Sequence, residues 1–222
     1  MMSWLEYEPK SVFGVDYFNY ERAWAAMRHS ALRRYPRSKL AFRQTDLVRM
    51  QEIPDGSQDI IGSDAVFEHL RYLPAVLHEF HRVLKPGGVL YATFGPLWYT
   101  WGGDHISGYD GILSGYNHLL LDPASYHAYL DRVGVRKHSE HDGRTWAEHG
   151  LFSYMRPMEY LAVLKDAGFE RQLVGAIIEP RAVDCLRQLA DVRERLLADN
   201  SKLDLIITGM TIVYRKPQVA EI

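Results

Sequence analysis

Cysteine is nearly absent from this chain of 222 residues, since Cys185 is the only one. A single cysteine excludes an intrachain disulfide and any metal site built from several cysteines. The chain also lacks an apolar run near the roughly 18 residues of a membrane span, and its formal net charge of -2 gives no overall basic field for nucleic acid. Residues 1–10 contain Glu6 and Glu8 but not the apolar stretch of a signal peptide. We therefore expect a cytoplasmic protein that binds neither nucleic acid nor membranes.

Internal repeats and low-complexity linkers are absent as well, so the sequence predicts one domain over residues 1–222. Segments typical of strands alternate with segments typical of helices, which predicts a parallel sheet covered on both faces. The predicted strands lie at 11–16, 40–42, 59–63 (a buried strand), 89–93, 169–178 and 205–214. The predicted helices lie at 20–34, 73–84, 157–167 and 182–197, and a further helix starts at Asp122-Pro123.

Four local patterns occur in a fixed order in the first part of the chain. They are Val15-Asp16 at a strand end, Thr45-Asp46-Leu47, the run 54–63 leading into Phe67-Glu68-His69, and Arg82-Val83-Leu84-Lys85-Pro86-Gly87-Gly88 before a strand. This series resembles the class I S-adenosylmethionine-dependent methyltransferases, near the type 11-like branch that methylates small molecules. The fourth pattern is the most specific, and it turns the chain from helix to strand without touching substrate.

The resemblance implies a Rossmann-like, doubly wound, mostly parallel α/β sheet that binds S-adenosylmethionine beyond the carboxyl ends of its strands. The implied cofactor-binding residues are Asp16, Tyr17, Asp46, Leu47, Ser63, Asp64 and Ala65. Asp16 would accept the ribose hydroxyls, with Tyr17 beside the adenosine. Asp46 would meet the adenine amino group while Leu47 packs on the ring, and residues 63–65 would line the methionine side.

The first motif of that family, an acid followed by a glycine-rich loop, has no counterpart here, because the first glycine is Gly14. We therefore expect an N-terminally truncated fold in which strand 1 and the glycine loop are absent. Losing a central strand would leave buried backbone groups unpaired, at roughly 1–3 kcal/mol each. Three explanations stay open: a start upstream of Met1, a rearranged sheet or one completed by another chain, and a relative that no longer methylates.

An aromatic-rich segment over residues 94–155 follows the fifth strand of the expected fold, where this family places substrate-binding loops. Aromatic side chains with scattered polar groups suit a lid over an organic substrate. His105 and His118 are the candidate catalytic bases, which a hydroxyl-like acceptor would need. His138 and His141 match no metal-ligand spacing, so no metal is expected.

Methyl transfer to a small or mid-sized organic acceptor is the function that these features favour. The alternative is a catalytically inactive methyltransferase-like protein or fragment that serves as a binding module. The partner is then a small-molecule substrate, and the sequence leaves a homodimer open.

Overall fold

The computed structural model describes residues 2–133 and 143–218. The chain divides into two compact units, Met1–Pro54 and Asp55–Ile222. The expectation of a single domain with a lid at 94–155 stays a prediction.

The first unit contains one parallel strand pair and one long helix. A 3-10 helix at Met2–Tyr7 precedes strand β1 (Ser11–Asp16), helix α1 (Glu21–Arg34) and strand β2 (Lys39–Gln44). Trp24 of α1 is buried and stacks on Phe42 of β2, with ring centroids 5.6 Å apart. The two strands are parallel, so both end at the same edge of the pair, directly before or at the predicted acids.

The second unit is a four-stranded sheet with helices. Its strands are β3 (Gln58–Asp64), β4 (Leu84–Phe94), β5 (Glu170–Ile178) and β6 (Ile207–Arg215). Its helices are α2 (Leu73–Val83), α3 (Asn117–Leu120), α4 (Pro123–Arg132), α5 (Gly143–His149), α6 (Pro157–Asp166), α7 (Pro180–Gln188), α8 (Ala190–Leu197) and α9 (Lys202–Ile206), with short 3-10 helices at Phe67–His69 and Ile112–Ser114.

The strand order in this sheet is β3-β4-β6-β5. Strands β3 and β4 are parallel, whereas β6 runs antiparallel to both β4 and β5. In the described part of the chain, β1 and β3 each have one strand neighbour, and the two sheets share no strand pairing. The parallel pair β3–β4 brings the ends of both strands to one edge, where the open side of a Rossmann-like sheet binds ligands.

Helix α2 anchors the core because its apolar residues recur at helical spacing on one face. The buried residues of this face are Leu73, Val76, Leu77, Phe80 and Val83, as the sequence predicted. Phe67 packs on both Phe80 and Phe94, with centroid distances of 6.3 and 5.2 Å. The end of β3 and the end of β4 are thereby fixed to the same core.

Three local predictions differ from the structure. The strand predicted as buried at 59–63 is an edge strand, so Ile60 is 54% exposed. The single helix predicted at 182–197 is two helices, which meet at Leu189 with a non-helical backbone (φ -112°, ψ 87°). The last strand begins at Ile207 instead of residue 205, because Ser201 and Asp204 cap helix α9 immediately before it.

Candidate functional site

An open cleft of about 250 Å³ lies at the carboxyl ends of β3 and β4. Its lining residues are Asp64, Ala65, Thr93, Phe94, Gly95, Pro96, Ile177, Thr208 and Gly209. Two of the predicted cofactor-binding residues, Asp64 and Ala65, are therefore on its wall. Asp64 is the charged side chain among these lining residues, and Ile177, Phe94 and Pro96 give the cleft an apolar side.

The cleft's shape depends on backbone conformations that most residues avoid. Ala65 has a φ of 52°, and its N–H donates to the Thr93 carbonyl at 2.8 Å, which ties the end of β3 to the end of β4. Gly95 has a φ of 140°, and a Cβ there would lie 2.3 Å from the Thr208 carbonyl oxygen. A glycine is required at Gly95 for this reason, since β6 passes too close for any side chain.

Glu68 is a buried carboxyl directly behind the cleft wall. It is 2% exposed, and its Oε1 accepts a hydrogen bond from the Gly95 N–H at 3.2 Å. Its Oε2 is buried and has no hydrogen-bond partner in the described residues. Burial raises the pKa of Glu68 to about 7, and the neighbouring Asp64 carboxylate adds to the rise against the lowering effect of the Gly95 hydrogen bond. The Glu68 carboxyl is therefore protonated in a fraction of the protein molecules near neutral pH.

The predicted adenosine-binding residues lie at the end of β1 and after β2 in the first unit. Asp16 accepts a hydrogen bond from the Phe18 N–H at 2.9 Å, and Asp46 accepts one from the Val48 N–H at 3.1 Å. Tyr17 is 64% exposed, and Leu47 is half-buried. Ser63, in the second unit, pairs with Ala92 of β4 and precedes the cleft by one residue.

His105 stands in a buried cluster of rings. Its ring centroid lies 5.1 Å from that of His69, 5.2 Å from Trp146 and 5.5 Å from Phe152. Its backbone is left-handed, with a φ of 66°, and its Nε2 is buried without a hydrogen-bond partner. Burial and the neighbouring His69 lower the pKa of His105 to about 4. The imidazole is therefore neutral at pH 7, with an uncommitted ring nitrogen.

His118 is sealed inside the 94–155 segment, with a side-chain exposure of 0%. Its Nε2 donates to the Trp98 carbonyl at 2.7 Å, because a carbonyl can only accept. Its Nδ1 lies 3.8 Å from Asp104 Oδ1. Burial lowers the pKa of His118, although Asp104 opposes the shift. Nε2 is thus held by the Trp98 carbonyl, whereas Nδ1 is buried without a hydrogen-bond partner in the described residues, because 3.8 Å is too long for one.

Asp104 organises the turn that carries His105. Its carboxylate accepts from the Ser107 N–H at 2.7 Å, the Ser107 hydroxyl at 2.8 Å and the Tyr126 hydroxyl at 2.6 Å. Burial by itself would raise the pKa of Asp104. His118 and these donors together lower the pKa by more than burial raises it, so the net shift is downward. A buried ionised carboxylate with several donors is a stable arrangement.

His69 connects the loop after β3 to the far end of the aromatic segment, since its Nδ1 donates to the Leu151 carbonyl at 2.8 Å. His138 and His141 lie outside the described residues. Among the residues that the structure describes, no group of three His, Cys, Asp or Glu side chains is arranged to hold a metal ion. None of the described helices is long and apolar enough to cross a membrane.

Several residues of the cleft were not singled out from the sequence as binding residues. Gly95 and Thr208 belong to this group, and so does the carboxyl of Glu68 behind the cleft wall. The Gly95-Pro96 pair directly after a strand was a usable signal for the cleft, because glycine at such an edge often marks a close backbone approach. Thr208 carried no signal, since it is 113 residues from Gly95 in the sequence and reaches it through β6.

Comparisons with known proteins agree with this geometry. The family of methyltransferase domains matches residues 1–92. No protein of curated function matches the sequence. An S-adenosylmethionine-dependent methyltransferase from Mesorhizobium loti is similar with a TM-score of 0.54 at 17% identity, over 96% of this chain and 84% of its own.

Two further solved structures are similar. One is an S-adenosylmethionine-dependent methyltransferase from Methanosarcina mazei, with a TM-score of 0.50 at 18% identity over 97% of this chain and 87% of its own. The other is phosphoethanolamine N-methyltransferase 2 from Haemonchus contortus in complex with S-adenosyl-L-methionine, with a TM-score of 0.51 at 17% identity over 93% of this chain and 43% of its own. These neighbours confirm the expected Rossmann-like α/β fold. The match to the methyltransferase-domain family thus covers residues 1–92 of the 222, and the similarity to the solved structures concerns the fold.

Proposed function

We propose that this protein transfers a methyl group from S-adenosylmethionine to a small or mid-sized organic acceptor. The observation that carries the proposal is the cleft at the carboxyl ends of β3 and β4, which has one carboxylate, Asp64, and an apolar side. A cleft at this edge of the sheet is where such folds bind ligands. Its volume of about 250 Å³ suits part of a cofactor or a small acceptor, since pockets for whole drug-sized ligands run to roughly 300–1,000 Å³.

Each unit holds residues that fit part of the chemistry of S-adenosylmethionine. Asp16 and Asp46 lie at the carboxyl-terminal ends of β1 and β2, and carboxylates there suit ribose hydroxyls and an adenine amino group. Asp64 in the cleft suits the cationic methionine end, because the lining has no Lys or Arg. Tyr17 and Leu47 supply apolar surface beside the adenosine, and Ser63 and Ala65 complete the methionine side.

Positioning is the main contribution that this chain's residues make to the reaction. When bound, S-adenosylmethionine supplies an electrophilic methyl group, which an acceptor lone pair takes as the carbon–sulfur bond breaks towards sulfur. Such a displacement gains most of its rate from holding the two partners in line. Ile177 and Phe94 give the cleft an apolar side against which the reacting atoms would be placed.

The segment 94–155 is proposed to carry the acceptor and the groups that handle its proton. Both candidate histidines keep one buried ring nitrogen without a hydrogen-bond partner in the described residues, Nε2 of His105 and Nδ1 of His118, so both stay candidates. A pKa of about 4 makes His105 a weak base at pH 7, so its role is to accept a hydrogen bond from the acceptor. A cytoplasmic location and a homodimer belong to the same proposal.

Cofactor binding measured by calorimetry tests the proposal most directly. We expect S-adenosylmethionine to bind, and Asp16→Ala to weaken binding by about 1.5–3 kcal/mol, the usual value for a hydrogen bond to a charged group. Asp166→Ala, an exposed acid at the end of α6, is the matched control and should leave affinity unchanged. Equal affinity in Asp16→Ala and the unaltered protein would refute the ribose assignment.

The alternative is a catalytically inactive methyltransferase-like protein or fragment that keeps the fold and serves as a binding module. If calorimetry detects no binding of S-adenosylmethionine, this alternative is favoured. The cleft would then bind a partner of the protein and not the cofactor.

A further inference from the structure

The charge of the cleft is one-sided. Asp64 lines it, and Glu68 lies behind its wall, held to Gly95 by the hydrogen bond of 3.2 Å. No Lys, Arg or His is among the lining residues. Two carboxyl groups and no balancing cation favour a ligand that brings positive charge to this place.

The burial of Glu68 makes it responsive to that charge. A carboxylate in a low-dielectric environment has few compensating dipoles, so a nearby cation stabilises its ionised form strongly. Oε1 has the Gly95 N–H, but Oε2 has no partner in the described residues, and its negative charge is therefore the less compensated of the two. Water does not reach Oε2, so little screening separates it from a charge on the other side of the Gly95 backbone.

We infer that Glu68 determines the preference of this site for S-adenosylmethionine over S-adenosylhomocysteine by releasing its proton to the solvent when the sulfonium enters the cleft. The inference rests on the proposed function, since it places the methionine side of the cofactor beside Asp64 and Gly95. The two compounds share their adenosine, amino and carboxylate groups and differ in one methyl group and the positive charge on sulfur. A carboxyl that ionises beside the cation stabilises the substrate form and leaves the neutral product with weaker binding.

The other titratable groups near Glu68 do not replace it in this role. Asp64 contributes negative charge from the end of β3 and raises the pKa of Glu68. From α6, the Tyr160 hydroxyl faces Glu68; it is fully buried, and burial raises its pKa, so it stays neutral. Glu68, whose own pKa is about 7, is thus the group in this set that changes charge near neutral pH.

The direction of the pH effect follows from the charges. Raising the pH ionises Glu68, which strengthens binding of the cation and leaves binding of the neutral thioether almost unchanged. The ratio of the two affinities should therefore rise between pH 6 and pH 8, by about fivefold for a coupling of one pKa unit. By linkage, binding of S-adenosylmethionine at pH 7 must be accompanied by release of protons from Glu68.

Calorimetry in two buffers of different ionisation enthalpy measures that proton release. We expect S-adenosylmethionine to release a fraction of a proton at pH 7 and S-adenosylhomocysteine to release none. Glu68→Gln should abolish the release and hold the affinity ratio constant with pH. Glu170→Gln, which removes an exposed carboxylate at the start of β5, is the matched control and should retain both effects.

The outcomes separate this inference from the proposed function. If both compounds bind with equal proton release, or if Glu68→Gln keeps the release, the coupling is wrong while the cofactor site stands. If neither compound binds, the cofactor site is wrong and the coupling falls with it. Should Glu68→Gln fail to fold, the affinity ratio of the unaltered protein decides, because a ratio that is flat from pH 6 to pH 8 overturns the inference.

Discussion

Replacing Glu68 by Gln should change how the stability of this protein depends on pH. The folded state holds the Glu68 pKa at about 7, against 4.5 for an ordinary glutamate. Between these values the unfolded chain loses the proton while the folded chain keeps it, so stability falls as the pH rises from about 4.5 to 7 and then levels off. A shift of about 2.5 units corresponds to about 3 kcal/mol of lost stability at high pH. Gln has nearly the same shape and cannot ionise, so the variant escapes this loss.

Urea unfolding of the two proteins at pH 5 and pH 8 measures the effect. Most of the loss falls between these values, so the stability of Glu68→Gln relative to the unaltered protein should increase by about 2.5 kcal/mol from pH 5 to pH 8. Glu170→Gln is again the control and should follow the unaltered protein at both pH values. Parallel pH profiles for Glu68→Gln and the unaltered protein would show that Glu68 is not held neutral by burial, and the reasoning would be refuted.

Two further predictions concern the core and the loop network. Leu77→Ala removes a fully buried side chain from α2 and should destabilise the protein by about 2–5 kcal/mol in urea unfolding. Leu113→Ala, at a 57% exposed position, should change stability little, and equal losses in both would contradict the assigned core. Tyr126→Phe removes the hydroxyl that donates to Asp104 at 2.6 Å and should cost about 1.5–3 kcal/mol, as for other hydrogen bonds to charged groups. An unchanged unfolding midpoint in Tyr126→Phe would show that this hydrogen bond is not formed in solution.

The sequence predicted helices and strands well where the pattern that identifies them lies within a few neighbouring residues. The apolar spacing of α2 identified its buried face, and Asp122-Pro123 marked the start of α4, where Asp122 accepts from the Ala124 and Ser125 N–H groups. The strand at Ser11–Asp16 is confirmed at both ends. Helix periodicity, caps and turn residues act within a few residues, so they can be read without knowing the rest of the fold.

Strand ends in the sequence also located part of the candidate site. Asp64 and Ala65 follow the third strand, and the structure places both on the cleft wall. The family resemblance supplied the reason, because ligands bind beyond the carboxyl ends of parallel strands. The roles of Asp16 and Asp46 toward the adenosine stay predictions until cofactor binding is measured.

Only the tertiary structure decided which polar groups are buried and what they face. Glu68 meets Gly95 across 27 residues, and His69 meets Leu151 across 82, so no local pattern announces either contact. The exposure of Ile60 likewise depends on the order of strands in the sheet, which places β3 at an edge. The sequence by itself determined the elements and the acids that follow the strands. Contacts between distant segments bury Glu68 and raise its pKa, and they form the hydrogen bond from His118 to the Trp98 carbonyl. These contacts exist only once the chain has folded.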